Sequence, residues 1–248
     1  MSEPSGWYQA GFGGSLAEAY ERYMVPAIFG PWAGDLLDAA ALRPGERVLD
    51  VACGTGVIAR AAAPRVGPAG AAIAWQTGDV LALPFTDQSF DIIICQQGLQ
   101  FFPDRSAALR EMHRVLAPSG RVALAVWRPI EHSPGFAVLA EALDRHIGSD
   151  LLTGPFSLGD ATELRALLKQ AGFHDVMIRA VAKTLRFPSV EAFVTRYVAA
   201  TPLAGPVGQA DARARAALVA DACAGLEPYI DAAGLTFPME SHFATART

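Results

Sequence analysis

Two glycines, Gly54 and Gly56, lie in a short turn between an apolar segment and a segment with helical spacing. Together with Ala59 they form the pattern Gly-x-Gly-x-x-Ala, which is typical of loops that bind nucleotides. Glycine lets the backbone approach a ligand closely. The first turn of the following helix offers amide N–H groups without helical partners, and these attract anions. The spacing therefore predicts a binding site for the negatively charged part of a small ligand.

Asp50 ends the apolar segment, four residues before Gly54. A carboxylate at this place would repel the pyrophosphate of a dinucleotide, and it would attract an ammonium or sulfonium group. S-adenosylmethionine carries such cationic groups beside a carboxylate, so it suits both the turn and Asp50. Two other interpretations stay open. A nicotinamide dinucleotide fits the glycine spacing alone, and the turn could also serve only to pack a strand against a helix.

The segments around this turn alternate between strands and helices, which predicts an α/β fold with a mostly parallel sheet. The predicted strands are apolar runs bounded by turn residues, at 47–52, 71–75, 90–95, 122–127 and 239–246, with a long extended piece at 176–187. The predicted helices have apolar residues at helical spacing, at 16–23, 33–41, 57–63, 106–116, 136–146, 161–171, 189–199 and 210–226.

Local signals refine these elements. Ser15 and Glu18 have the spacing of a capping box at the start of the first helix. We expect Pro26 and Pro31 to interrupt that helix, because proline removes a helical hydrogen bond. The prolines and glycines at 201–208 predict a loop.

The composition excludes several classes of protein. Of 248 residues, 52% are hydrophobic and 18% charged, which is too apolar for a disordered chain. The formal net charge of −5 argues against a broad surface for nucleic acid or anionic membranes.

Cys53, Cys95 and Cys223 lack the spacing of a zinc site or a disulfide framework, so we expect no metal. No apolar run approaches the roughly 20 residues of a spanning helix. Residues 1–7 do not have the pattern of a signal peptide, so we expect a cytoplasmic protein.

An ordered series of motifs between Arg43 and Trp127 resembles the class I S-adenosylmethionine-dependent methyltransferases. The series contains Val48-Leu-Asp50-Val-Ala-Cys-Gly54-Thr-Gly56, Gly78-Asp79-Val80, Leu83-Pro84-Phe85, Ser89-Phe90-Asp91, Gln96-Gln97-Gly98-Leu99-Gln100-Phe101-Phe102 and Leu109-Arg110-Glu111-x-x-Arg114-Val115-Leu116-x-Pro118-x-Gly120. Ala52 stands where these enzymes often have a first glycine. The branch that the series resembles most includes the ubiquinone/menaquinone-biosynthesis C-methyltransferases.

The resemblance implies a Rossmann-like, mostly parallel sheet with flanking helices, an antiparallel last strand and a helical cap. We expect a single domain, 1–248. It comprises an N-terminal helical lid at 1–42, the core at 43–188, a cap insertion at 189–238 and the last strand at 239–248.

The resemblance also implies which residues bind the cofactor, S-adenosylmethionine. The residues that would surround its methionine end are Asp50, Ala52, Cys53, Gly54 and Gly56. Asp79 would accept a hydrogen bond from the adenine N6, and the Val80 N–H would pair with the ring. Gln96 would face the amino acid portion.

Acceptor residues are expected at the carboxyl ends of the strands, where open α/β sheets bind ligands. The candidates there are Gln97, Gln100, Phe101, Trp127 and His132. His132 is a candidate base, although a histidine in such a place is more often a solvated loop residue. Tyr20 and Tyr23 lie on a helix that often covers the cofactor in relatives.

The chain departs from the family's pattern after the glycine turn. Relatives have two strands between this turn and the adenine loop, and the first ends in an acidic residue that binds both ribose hydroxyls. Here Val51 to Gly78 contains neither Asp nor Glu. We infer that this strand and the helix after it are absent, so that 71–75 is the next strand and pairs directly with the first. In the rival alignment, 71–75 is the second strand and Asp79 the ribose ligand.

These observations support one function and one main alternative. The first is methyl transfer from S-adenosylmethionine to a small molecule by in-line displacement. The alternative is a weakened or non-catalytic binding protein with the same fold, since the missing carboxylate predicts poor cofactor binding or none. A nicotinamide-dependent oxidoreductase is disfavoured by Asp50. We expect a small-molecule acceptor, no nucleic acid and no membrane span, with the oligomeric state open.

Overall fold

The computed structural model describes residues 16–68 and 73–248. Its helical start comprises α1 (Leu16–Ala19), a π-helix (Tyr20–Phe29) and α2 (Gly30–Ala40), which follow one another without a break. The expected interruption at Pro26 and Pro31 is therefore wrong. Pro26 lies inside the π-helix, whose hydrogen bonds are spaced differently from those of an α-helix, and Pro31 is the second residue of α2, at the change from one helix type to the other. Ser15 lies outside the described residues.

The remaining strands and helices follow the predicted order closely. They are β1 (Val48–Asp50), α3 (Val57–Val66), β2 (Phe90–Gln96), α4 (Arg105–Val115), β3 (Leu116–Trp127), α5 (Pro134–Ile147), α6 (Ala161–Gln170), β4 (His174–Phe187), α7 (Val190–Ala199), α8 (Ala204–Gln209), α9 (Ala212–Leu226), β5 (Ile230–Asp231) and β6 (Gly234–Arg247). Part of the expected loop at 201–208 is thus helical, since α8 occupies it. Single 3₁₀ turns lie at Leu99–Phe101, Ile130–His132, Gly154–Phe156 and Glu227–Tyr229.

The sheet has the strand order β1-β2-β3-β6-β4, with the short β5 paired to β6. The strands β1, β2 and β3 run parallel, and β6 runs antiparallel to β3. The register aligns Asp50 with Ile94 in the first pair and Val126 with His242 in the antiparallel pair. From Ile92 onward β2 is buried, as expected for a strand covered on both faces. The predicted Rossmann-like α/β fold with an antiparallel last strand is confirmed.

The predicted strand at 71–75 is wrong in its described residues. Ile73, Ala74 and Trp75 belong to no strand, and within the described chain β1 pairs with β2 alone. The expected direct pairing of this segment with the first strand is therefore wrong as well. A strand needs a partner in register, and among the described residues no strand pairs with this segment. The Trp75 ring instead contacts Gly56, past the last residue of β1. Residues 71 and 72 lie outside the described chain.

The described residues form two compact units. The helical unit comprises 16–29, 133–153 and 184–239, and its α5 and α7 both pack against α9. Its interior is aromatic, because Phe136, Phe193 and Phe237 meet pairwise edge to face with ring centroids 5.2–6.0 Å apart.

The sheet unit comprises 30–68, 73–132, 154–183 and 240–248. In it, α2 packs against α3 and β3, and α4 packs against α6 and β3. Its core is aliphatic, with Ile93, Val122 and Leu124 of the central strands fully buried. The prediction of a single domain with a lid and a cap stays a prediction.

Candidate functional site

The glycine turn joins β1 to α3 in the sheet unit. Three of its residues adopt positive φ angles, with Ala52 at 57°, Gly54 at 55° and Gly56 at 87°. Glycine enters this region readily, whereas alanine is strained there. The Gly56 N–H donates to the Cys53 carbonyl at 2.8 Å, which closes the turn just before α3 begins. The sequence thus folds into the tight strand-to-helix connection that the glycine spacing predicts.

Close packing surrounds this turn. A Cβ added to Gly56 would lie 2.2 Å from Cη2 of Trp75, so the indole edge rests on the backbone of the turn. A Cβ added to Gly98 would lie 2.7 Å from the Ala52 Cβ and 2.8 Å from the Cys95 Sγ. Gly98 follows β2, so the segment after this strand packs directly against the glycine turn. Close contact thus opposes a larger residue at Gly98, while the positive φ of Gly56 favours glycine there.

Asp50 carries the main electrostatic feature of the site. Its Oδ2 accepts a hydrogen bond from the Ala59 N–H at 3.2 Å, which ties the end of β1 to the first turn of α3. Burial raises the pKa of the Asp50 carboxyl to about 7, and the hydrogen bond only partly offsets this shift. A nearby cation would stabilise the ionised form, so the carboxyl is placed to bind a positively charged group.

Burial and, second, the negative charge of Asp50 raise the pKa of two nearby thiols. The pKa of Cys53 is raised, and that of Cys95 reaches about 12. Both thiols are therefore protonated at neutral pH and are poor nucleophiles. The chemistry of this site is binding rather than covalent catalysis by cysteine.

The residues present fit a zwitterionic ligand with an extra positive charge. Gly56, the residue that precedes α3, has no side chain that could cap the helix, and of the first-turn amides the Ala59 N–H donates to Asp50. The buried Thr55 hydroxyl, within the turn, has no hydrogen-bond partner in the described chain. Buried polar groups are usually paired, and a ligand could supply the partner. Within 16–68 and 73–248, no group of His, Cys, Asp and Glu has a metal-binding arrangement.

Asp79 and Val80 lie on the segment that follows Trp75. The exposed Asp79 carboxylate accepts from the Leu81 N–H at 2.9 Å, while Val80 packs against the core of the sheet unit. Their predicted role toward adenine stays a prediction.

The rest of this segment is anchored to α4. Glu111 accepts from the Leu83 N–H at 2.9 Å, and Arg114 donates to the carbonyls of Leu83 and Phe85 at 3.1 and 2.9 Å. Arg114 also pairs with Glu111 at 2.8 Å, and this hydrogen bond lowers the pKa of Glu111. The motif residues of α4 thus position the loop that precedes β2.

The glutamines after β2 form a buried network. Gln97 adopts a φ of 57° and donates from Nε2 to the Ser241 Oγ at 3.0 Å, and Ser241 donates to the Val126 carbonyl at 2.8 Å. Gln100 donates to Gln97 Oε1 at 3.2 Å, while its own buried Oε1 has no partner in the described chain. Gln96 is buried at the end of β2, two positions before Gly98. The network links β2, β3 and β6, so Gln97 has a structural role whatever its part in binding.

The other predicted acceptor residues differ in exposure. Phe101 is 58% exposed, whereas Trp127 is buried and meets Trp32 edge to face at 5.6 Å. His132 is partly exposed in the turn after β3, with its Nδ1 3.9 Å from Glu240 Oε1. Its predicted role as a base stays a prediction.

Tyr20 and Tyr23 belong to the helical unit. Tyr20 stacks on Phe29 at 5.0 Å, and Tyr23 faces the guanidinium of Arg196 at 5.6 Å. Ring contacts within this unit therefore hold both tyrosines. Their expected place over the cofactor stays a prediction.

Three residues near the turn were missed by the sequence analysis, namely Thr55, Trp75 and Gly98. The sequence contained a signal for the last, because Gly98 follows a predicted strand in a motif with two glutamines. Trp75 was assigned to a strand, and its contact with Gly56 is not visible in any local pattern.

Comparison with known proteins identifies similarity to methyltransferases. Residues 59–124 match a family model described as a methyltransferase domain. The demethylmenaquinone methyltransferase of Lactobacillus johnsonii is 30% identical over 186 positions, which cover 59% of this chain and 75% of that protein. The ubiquinone/menaquinone biosynthesis C-methyltransferase UbiE of Ectopseudomonas mendocina is 31% identical over 170 positions, which cover 58% of this chain and 64% of that enzyme.

The alignment with the Lactobacillus protein also contains gaps. Its 186 positions cover 59% of 248 residues, or about 146, so about 40 positions have no residue in this chain.

Among solved structures, phosphoethanolamine N-methyltransferase 2 of Haemonchus contortus, in complex with S-adenosyl-L-methionine, matches with a TM-score of 0.54 at 16% identity. The match covers 94% of this chain and 56% of that one. At this identity the likeness shows the fold alone.

Proposed function

The chain belongs to the class I S-adenosylmethionine-dependent methyltransferases, in the branch of the ubiquinone/menaquinone C-methyltransferases, and from this premise we propose that it methylates a small, partly hydrophobic molecule. S-adenosylmethionine is the cofactor of this family. When bound, it supplies an electrophilic methyl group. The observation that carries the proposal is the partly buried Asp50 carboxyl beside a helix N-terminus whose N-cap residue, Gly56, has no side chain, because this pair of charges matches the ammonium and carboxylate of the cofactor.

Each part of the site would hold one part of the cofactor. Asp50 would bind the ammonium, and the backbone of Ala52 to Gly56 would bind the carboxylate, with Cys53 and Gly54 in the turn. Gln96 would contact the amino acid portion from the end of β2. Asp79 and Val80 would bind the adenine. The contact between Ala52 and Gly98 supports the placement of Gln96, because it brings the end of β2 against the turn.

The acceptor would bind beyond the carboxyl ends of β2 and β3. Of the predicted residues, Phe101 and His132 are accessible, and Gln100 has a buried amide oxygen without a described partner. Gln97 and Trp127 would hold the floor of this region, since both are buried. In-line displacement needs the acceptor atom aligned with the methyl group, so these residues would act mainly by orientation and by excluding water. His132 could take a proton from the acceptor if the reaction requires it.

The relatives suggest a class of acceptor to test first. Two are named for methylation in menaquinone or ubiquinone biosynthesis, so a demethylmenaquinone analogue with a short side chain is a suitable first acceptor. Transfer of a labelled methyl group from S-adenosylmethionine to this analogue, or to another small aromatic acceptor, would support the proposal. A chain that binds S-adenosylhomocysteine but transfers no methyl group to any acceptor in a broad panel would contradict it.

One observation favours the alternative, a binding protein with reduced or no activity. The stretch from Val51 to Gly78 has no Asp or Glu, and within the described residues it adds no strand beside β1. Thermal shift with S-adenosylmethionine, S-adenosylhomocysteine and NAD separates the possibilities. Stabilisation by the first two supports the proposed site, and no shift with any of them favours the non-catalytic alternative.

A further inference from the structure

Trp75 is a large aromatic residue in an unusual environment. Its side chain is 59% exposed, yet the edge of its six-membered ring touches the backbone of the glycine turn. With a Cβ added to Gly56, the ring atoms Cη2, Cζ3 and Cζ2 would be only 2.2, 3.1 and 3.2 Å away. One edge of the indole is thus held against Gly56, while a large part of the ring stays open to solvent.

The position of Trp75 along the chain connects two parts of the proposed site. It contacts the turn that would hold the amino acid end, and it precedes Asp79 by four residues. The segment between them packs closely at Gly78, where an added Cβ would lie 2.8 Å from Cδ of Pro84. An exposed indole at this point has an open π-face next to the path from the turn to the Asp79 loop.

We propose that the open face of Trp75 stacks on the nucleoside part of the cofactor. This inference rests on the proposed function. Purine bases bind well on aromatic side chains, and stacking tolerates the absence of polar partners. Stacking on Trp75 would therefore contribute affinity for the nucleoside. The stretch that contains Trp75, from Val51 to Gly78, has no carboxylate that could do so through the ribose hydroxyls.

The test uses calorimetry to measure the binding of S-adenosylhomocysteine and of smaller molecules that resemble its two halves. S-adenosylhomocysteine, adenosine, 2′-deoxyadenosine and L-methionine are titrated into the wild-type chain and into Trp75→Leu and Trp75→Phe. We expect Trp75→Leu to weaken S-adenosylhomocysteine and both nucleosides by about 10- to 100-fold, the range of one lost stacking contact. L-methionine binding should stay unchanged, and Trp75→Phe should retain most of the nucleoside affinity.

Two further measurements separate binding from folding. Met177, 69% exposed on β4 of the same unit, gives a matched control, since Met177→Ala removes an exposed apolar side chain away from the turn. Its ligand affinities should equal those of the wild type. S-adenosylhomocysteine should change the tryptophan fluorescence of the wild type and have little effect on that of Trp75→Phe, which reports contact directly.

The outcomes distinguish this inference from the function on which it rests. If the wild type binds S-adenosylhomocysteine and Trp75→Leu binds it equally well, stacking is wrong and the proposed function stands. Tighter binding by Trp75→Leu would also overturn it and would mean that the indole obstructs the turn. If the wild type binds neither S-adenosylmethionine nor S-adenosylhomocysteine, both proposals fail. If Trp75→Leu does not fold, Trp75→Phe and its fluorescence decide.

Discussion

Asp50 is partly buried beside the glycine turn and accepts a backbone hydrogen bond from Ala59, and its pKa is raised to about 7. Between the ordinary carboxyl pKa of about 4 and this value, the folded chain holds a proton that the unfolded chain has released. Raising the pH through this range therefore lowers the free energy of unfolding. The ionised Asp50 carboxylate therefore destabilises the folded chain when no cation is bound beside it. A carboxyl group with such a shifted pKa is typical of a binding site.

The variant Asp50→Asn tests this balance. At pH 8 it should be more stable than the wild type by on the order of 2–4 kcal/mol, because it removes a buried charge. The difference should shrink toward pH 4, because the folded wild-type carboxyl is then protonated and carries no charge. Urea denaturation at pH 4.5, 6 and 8 measures it. The exposed Asp150→Asn is the control and should show no such trend, and equal stability of Asp50→Asn and wild type at every pH would contradict the assignment.

At the scale of single residues, the sequence predicted the glycine turn better than the packing around it. Asp50 and the glycines of the turn are recognisable because their types and order carry a local meaning. The contacts of Gly98 with Ala52 and of Trp75 with Gly56 join residues that are far apart in sequence. No local periodicity encodes such contacts, so only the structure reveals them.

At the scale of elements, the turn and the end of β2 form one packed junction. Gly98 has a φ of −102°, which any residue adopts, so substitution there is opposed by contact alone. Gly98→Ala should destabilise the chain by about 1–3 kcal/mol, the usual effect of overpacking. Denaturant unfolding of Gly98→Ala, in the wild-type chain and in the Ala52→Gly variant, measures the coupling free energy between positions 98 and 52.

The second substitution removes the nearest atom, the Ala52 Cβ, and also relieves its positive φ. Gly98→Ala should therefore be less destabilising in the Ala52→Gly background, by about 0.5 kcal/mol or more. Strictly additive effects would mean that these two residues are not in contact.

The antiparallel last strand is fastened to β2 by a buried hydrogen bond between Gln97 and Ser241. Ser241→Ala should lower the free energy of unfolding by about 1–3 kcal/mol, because it leaves the Gln97 amide without its partner. Ser133→Ala is a matched control, since Ser133 is also fully buried but its hydroxyl has no described partner. The control should be neutral or stabilising. A similar loss in both variants would show that serine burial, and not the hydrogen bond, matters.

Most elements were predictable from sequence because their apolar spacing is regular. The exceptions have physical reasons. The π-helix at Tyr20–Phe29 tolerates Pro26 through a shifted hydrogen-bond pattern, and α8 forms despite its proline and glycines. The segment at 73–75 has strand-like composition, but strand formation depends on a partner in register, which composition does not report.

At the scale of the whole molecule, the chain has the fold of its family with less structure beside β1 among the described residues. One lost charged hydrogen bond is worth about 1.5–3 kcal/mol, or roughly one to two orders of magnitude in affinity. We therefore expect S-adenosylmethionine to bind with a Kd well above the low micromolar range. Calorimetry under identical conditions, with this chain and with the Lactobacillus johnsonii relative, compares the two dissociation constants for S-adenosylmethionine. A low-micromolar Kd for this chain would refute it.

The raised pKa of Asp50 gives ligand binding a further property, an exchange of protons with the buffer. At pH 6.5, roughly three quarters of the molecules carry a proton on this carboxyl, and a cation bound beside it would expel that proton into solution. The observed heat of binding should then differ between phosphate and imidazole buffers in proportion to their ionisation enthalpies. With Asp50→Asn the two buffers should give the same heat.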